Sequence, residues 1–168
     1  MKNYLFAFAL VFAAADASAF GKYIGGSGGT SRASLHDDTD RYDMGKGGAW
    51  SMYAGIDLPI PVVPIRAELE YAQYNFDDRA QTWGIGVNAL VGLPLLPILK
   101  PYIGMGIASY QVRGVSGSHE NLSYMAGLDL NIPMFPIAGG VELRYIPLDL
   151  GDDTQYIKAA LVKARVYF

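Results

Sequence analysis

The sequence predicts an all-β protein, an eight-stranded antiparallel up-and-down transmembrane β-barrel. Three observations carry that expectation. There are eight runs of about ten residues, the length of a tilted strand that crosses a membrane, and all but the glycine-rich first alternate apolar and less apolar side chains with a period of two. The connectors between the runs also alternate, proline-rich and apolar at one, polar at the next. Inside the runs, the charges gather on the less apolar face, so each strand has two different environments.

The first residues are read apart from the strands. Residues 1–19 have the form of a secretory signal peptide, with Lys2 ahead of an apolar stretch from Leu5 to Ala15. Ala17-Ser18-Ala19 supplies a small-x-small cleavage site before Phe20, and Asp16 is a slightly unusual neighbour. The apolar stretch is too short to cross a bilayer as a helix. Residues 20–168 are then expected to form one barrel domain.

The first strand, Lys22 to Ser31, is too rich in glycine for its facing to be read. A polar segment, Arg32 to Lys46, follows as an expected loop carrying Asp37, Asp38, Asp40 and Asp43. The second strand, Ala49 to Leu58, sets Trp50, Met52, Ala54 and Ile56 against Ser51, Tyr53, Gly55 and Asp57. In the third, Ile65 to Asn75, Ile65, Ala67, Leu69 and Tyr71 oppose Arg66, Glu68, Glu70, Ala72 and Tyr74. The fourth, Thr82 to Gly92, places Trp83, Ile85, Val87, Ala89 and Val91 on one face.

The second half repeats the scheme. The fifth strand runs from Tyr102 to Arg113 and the sixth from Leu122 to Ile132, with Tyr124, Ala126, Leu128 and Leu130 opposite Ser123, Met125, Gly127 and Asp129. The seventh, Ala138 to Pro147, turns Val141, Leu143 and Tyr145 away from Glu142 and Arg144. In the last, Tyr156 to Phe168, the apolar face ends Val162, Ala164, Val166, Phe168, and the other holds Lys163 and Arg165. Lys158 is the exception on the apolar face, near a strand end where a long side chain can snorkel. Prolines mark the connectors after strands two, four and six (59–64, 94–101 and 133–136), because proline cannot donate to a ladder. In a meander these turns share one end of the barrel, and the polar loops share the other.

A soluble sandwich or lipocalin-like barrel obeys the same period, with the apolar face inward. Aromatics near the ends of the apolar faces (Trp50, Tyr71, Trp83, Tyr124, Tyr145, Tyr156) favour lipid on that side, as interfacial girdles. The opposite face then lines a narrow lumen. It carries Arg66, Glu68, Glu70, Asp129, Glu142, Arg144, Lys163 and Arg165, four acids and four bases, expected as a salt-bridged filling rather than a conduction path. Closure follows from the solvent, since unpaired backbone in hydrocarbon costs several kcal/mol per group.

The segments Pro64 to Tyr71, Pro101 to Ala108, Val141 to Tyr145 and the terminal Ala164 to Phe168 resemble the small eight-stranded outer-membrane β-barrel proteins of Gram-negative bacteria, the group containing the transmembrane domain of outer-membrane protein A. The resemblance implies an outer-membrane location and contact with outer-membrane lipids and lipopolysaccharide. It also implies that Phe168, with Val166, Ala164 and Val162 before it, is read by the barrel-assembly machinery, although Val166 stands where an aromatic is often found.

Other function classes have little support. A net charge of -3 and the lack of a nucleotide or DNA-binding signature point away from nucleic acid, and with no cysteine neither disulfides nor thiolate metal sites can form. No metal or cofactor is expected, because Asp37, Asp38 and Asp40 lack the glycine and distal glutamate of a calcium loop. Ser118-His119-Glu120 holds the residue types of a nucleophile and its base, yet nothing in that loop enforces their geometry. His36 is a second lone loop histidine. The expectation is therefore a monomeric, non-enzymatic barrel with a structural or surface-interaction role and an unspecified loop ligand. A lipid-A-modifying enzyme and a small pore are the alternatives.

Overall fold

The computed structural model describes residues 21–36, 41–58, 60, 63–76, 80–93, 98–113, 119–131, 135–149 and 154–168. The signal-peptide reading of residues 1–19, the aspartates 37, 38 and 40, and Ser118 lie outside them. Eight strands follow one another: β1 (Gly21–His36), β2 (Arg41–Leu58), β3 (Ile65–Phe76), β4 (Ala80–Gly92), β5 (Leu99–Val112), β6 (His119–Asn131), β7 (Ile137–Asp149) and β8 (Thr154–Tyr167). Each pairs antiparallel with the next, and β8 pairs with β1, so the sheet closes into the expected up-and-down barrel.

The register sets the shape. A walk along paired residues from Lys46 passes through Arg32, Lys158, Tyr145, Tyr124, Met105, Ala89 and Ala67, and returns to β2 at Ile56. The stagger around the ring is thus ten residues, from 46 to 56. With a rise of about 3.3 Å per residue and about 4.8 Å between strands, the strands tilt by about 40°. The bore of such a barrel is wide enough for side chains and little more.

Several boundaries differ from the sequence reading; β6, for one, begins at His119 rather than Leu122, so His119 and Glu120 stand in a strand and not a loop. The polar segment from Arg32 to Lys46 is largely strand: Arg32 pairs with Lys46, Ser34 with Asp43, and His36 with Arg41. A register shift between Arg32 and Ser34 is absorbed near Gly45, whose φ of 91° only glycine adopts easily. The pairing extends beyond the lipid-facing part of the sheet, where a strand can be polar on both faces, so periodicity does not reveal it. At the other end, β5 begins at Leu99 and includes Pro101, which had been read as a turn residue. Pro101 accepts a hydrogen bond from Leu93 through its carbonyl, and only its missing N–H, at the sheet's end, is lost to the ladder.

Candidate functional site

The lumen is the site that the sequence singled out, and all eight of its charged residues are buried there. They fall into two groups. In the larger, Lys163 Nζ lies 3.3 Å from Glu68 and 3.0 Å from Glu142. Arg144 donates to Glu142 Oε1 through Nε and Nη2, at 3.0 and 2.6 Å, and to Glu70 Oε2 through Nη1, at 2.7 Å. Asn88 donates to the same Glu70 oxygen at 2.7 Å. The smaller group lies nearer the proline turns. There Asp129 is ion-paired with Arg66 at 2.6 Å and with Arg165 at 3.0 Å. Asp57, opposite Arg66 in the ladder, stands beside this group. Of the lumen bases, Arg144 reaches Glu70 and Lys163 reaches Glu68, whereas Arg165 goes to Asp129.

Tyrosines fill the space between the ions. Tyr23 donates to Glu68 at 2.9 Å and Tyr102 to Glu142 at 2.8 Å, while Tyr74 accepts from Arg144 at 3.1 Å. Lys163 lies over the Tyr53 ring and Arg66 over the Tyr102 ring, 4.5 and 4.7 Å from the centroids. Four of these large residues have a glycine as cross-strand partner: Tyr23 and Gly55, Tyr53 and Gly25, Tyr102 and Gly127, Tyr110 and Gly84. The ring lies back over the glycine. A Cβ on Gly127 would sit 2.6 Å from Tyr102 Cε1, so only glycine leaves the ring room. Large and small residues alternate across facing positions, and a narrow bore is filled this way.

The half of the lumen toward the loops is different. Ala33, Tyr74, Phe76, Tyr110, Ile146, Leu148 and Ile157 form a buried apolar cluster with Ala72, Ala159 and Leu161. Phe76, Ile146, Leu148 and Ile157 have no exposed surface at all. Sequence reasoning missed this seal. Phe76 had been taken as part of a polar loop, and Ile146 and Leu148 stand at or past the expected end of the seventh strand. The available signal was the period itself, which continues from Glu142 and Arg144 to Ile146 and Leu148.

Outside, the six aromatics form two three-ring groups. Trp50, Tyr71 and Trp83 have centroids 5.5 and 6.2 Å apart, and Tyr124, Tyr145 and Tyr156 follow at 6.5 and 5.7 Å. Both groups lie toward the loop ends of their strands. Between them and the proline turns the surface is apolar and exposed, with Ile103, Ile107, Val141, Leu143 and Val162 each more than half exposed. At the turn end, Phe168 is 72% exposed and Phe135 66%. Val162, Ala164 and Val166 point outward with Phe168, whose N–H donates to the Lys22 carbonyl at 3.0 Å. Among the described residues no group of three or more His, Cys, Asp or Glu side chains is placed to hold a metal ion. The side chains of His36 and His119 lie outside the described part, and Glu120 is exposed.

A family model, the outer membrane protein beta-barrel domain, matches residues 4–166. No curated protein matches the sequence. Among solved structures the barrel is similar to Neisserial surface protein A, with a TM-score of 0.63 at 18% identity, covering 90% of this chain and 98% of that one. It is also similar to the outer membrane enzyme PagL, with a TM-score of 0.54 at 14% identity over 88% and 99% of the two chains. The Yersinia pestis outer membrane protein Ail in a phospholipid nanodisc gives a TM-score of 0.53 at 14% identity, over 86% and 99%. At these identities the likeness is one of fold. Barrels of this class contact outer-membrane lipids and lipopolysaccharide and are inserted by the barrel-assembly machinery. An apolar belt around a closed sheet, an ion-filled interior and a family match over nearly the whole length agree: the chain belongs to the outer membrane protein β-barrel family and resides in the outer membrane of a Gram-negative bacterium.

Proposed function

We infer that this barrel is a closed, non-catalytic membrane scaffold that acts through its outer surface, in a structural or surface-interaction role. One observation carries the reading: the lumen is occupied twice over, by the ion network below and by the apolar cluster above. An ion entering from the loop end would have to displace Phe76, Ile146, Leu148 and Ile157 before reaching any charge. A bare ion among such groups is strongly disfavoured. The polar loops then remain as the place for recognition, and Phe168 with its outward neighbours as the address read during assembly. The test is single-channel recording of the purified full-length protein in planar bilayers, paired with deacylase assays on lipid A. Silence in both is expected. Stable, charge-selective steps would reassign the protein as a pore. Hydrolysis abolished by His119→Ala would make it an enzyme.

A further inference from the structure

Among the described residues the β6–β7 ladder is the shortest of the eight. It runs from Asn131 and Ala138 to Tyr124 and Tyr145 and stops there, although both strands go on. Upper β6 stays paired with β5 as far as His119, and upper β7 with β8 as far as Asp149. Residues 119–123 and 146–149 therefore stand in the wall with a ladder on one side only. The β2–β3 ladder also ends early, at Ala49 and Tyr74. There, however, the Ser31 hydroxyl donates to the Asn75 carbonyl just above, at 3.2 Å, and bridges the junction.

One residue accounts for the break. Asn131 donates its N–H to the Ile98 carbonyl, toward β5, so Tyr124, Leu122 and Glu120, in the opposite phase, face β7. On the other side, Tyr167 donates its N–H to the Pro136 carbonyl. The same alternation then turns Ile146 and Leu148 toward β8, and Tyr145, Pro147 and Asp149 toward β6. Continuing the register past Tyr124 and Tyr145 brings Leu122 opposite Pro147, which has no N–H to give. The ladder with β8 loses nothing, because the missing donor points away from it.

The break begins at Tyr124 and Tyr145, in one of the outer aromatic groups that mark the interface, so Leu122 and Glu120 turn their amides to β7 above the hydrocarbon. On the inner face, the same stretch of β7 carries Ile146 and Leu148, two fully buried members of the apolar seal. Parting β7 from β6 here breaks no ladder bond. Lower down, the ladder is whole past Arg144 and Glu142 and keeps the ion network enclosed.

We propose that the β6–β7 junction above Tyr124 and Tyr145 is a lateral gate, in which upper β7 swings from β6 and uncovers Ile146 and Leu148 at the level of the headgroups. The gate goes beyond the closed-lumen reading: it opens the apolar half sideways and leaves the ion path shut. Conductance tests that reading, and the accessibility of the seal tests the gate.

The chain has no cysteine, so single introduced thiols report opening. Ile146→Cys on β7 and Phe76→Cys on β3 place buried thiols on two walls of the seal. Their labelling by a small maleimide is followed in the folded full-length protein in lipid nanodiscs. Ile146→Cys should react about tenfold faster than Phe76→Cys. Adding Pro147→Val, which restores a donor opposite Leu122, should slow Ile146→Cys about tenfold and leave Phe76→Cys unchanged. Equal rates at the two positions, or no effect of Pro147→Val, would place the opening at the loops and overturn the gate. Amide exchange of the unsubstituted protein decides the matter even where a variant does not fold. Glu120 and Leu122 should exchange about a hundredfold faster than Asn121 and Ser123, which face β5. Comparable protection of the two sets would mean that the junction is closed in the membrane, and would refute the proposal.

Discussion

Arg144 and Glu70 meet at 2.7 Å although they stand on β7 and β3, four strands apart in a ring of eight. The pair spans the whole bore. With the bond from Arg144 to Tyr74, also on β3, it ties opposite walls of the barrel together.

Removing the acid of that pair leaves a buried guanidinium with Glu142 as its remaining carboxylate. Glu70→Ala should therefore cost about 3 kcal/mol, toward the lower end for a broken buried pair because Glu142 and Tyr74 stay in place. Glu120→Ala, at an exposed outward acid, should cost under about 0.5 kcal/mol. Denaturant unfolding in detergent compares the two, and equal midpoints would show that the bore-spanning ion pair is not stabilising.

Glycines on the two faces should respond in opposite ways. Gly127→Ala drives a methyl group into the Tyr102 ring and pulls its hydroxyl from Glu142, a loss of about 2 kcal/mol. Gly28→Ala meets open space and should be neutral within about 0.5 kcal/mol. The same unfolding measurement checks both; a neutral Gly127→Ala would mean that the ring has another place to go.

Deleting Phe168 should separate assembly from stability. Its ring is mostly exposed, and its backbone N–H donates to the Lys22 carbonyl, so the refolded protein should lose no more than about 1 kcal/mol. In cells the heat-modifiable, folded fraction should accumulate several-fold more slowly in a pulse-chase experiment. Unchanged kinetics would remove the recognition role from this residue.

Orientation is open to a chemical test because the chain has no cysteine of its own. A Ser116→Cys variant should react with a membrane-impermeant maleimide on intact cells. A Phe135→Cys variant, at the proline-turn end, should react only after the outer membrane is opened. The reverse pattern would invert the barrel.

How much was legible in the sequence depended on how local the cause was. The last strand could be read in full, because Val162, Ala164 and Val166 on one side and Lys163 and Arg165 on the other are set by lipid and lumen alone. The partners of Glu68 and Glu70 could not, since the ten-residue stagger decides which charges share a level. The β1–β2 hairpin was hidden for a different reason: beyond the lipid neither face has to be apolar, so Arg32, Asp43 and Lys46 look like loop residues while pairing as strand. The apolar seal fell between these cases. Ile146 and Leu148 keep the inward period but reverse the chemistry that Glu142 and Arg144 had set for that face.

The seam between β1 and β8 has a consequence for how the molecule comes into being. From Tyr23 with Tyr167 to His36 with Thr154, the first and last strands are held together along nearly their full length. No piece made before β8 can supply this contact, because half of it comes from a strand that follows the other seven. A chain that stops short of β8 exposes two raw borders, on β1 and on β7, where hydrocarbon offers no partner for an amide. The membrane thereby proofreads the strand count: a chain carrying all eight strands can be sealed into the bilayer, and one that lacks β8 cannot close.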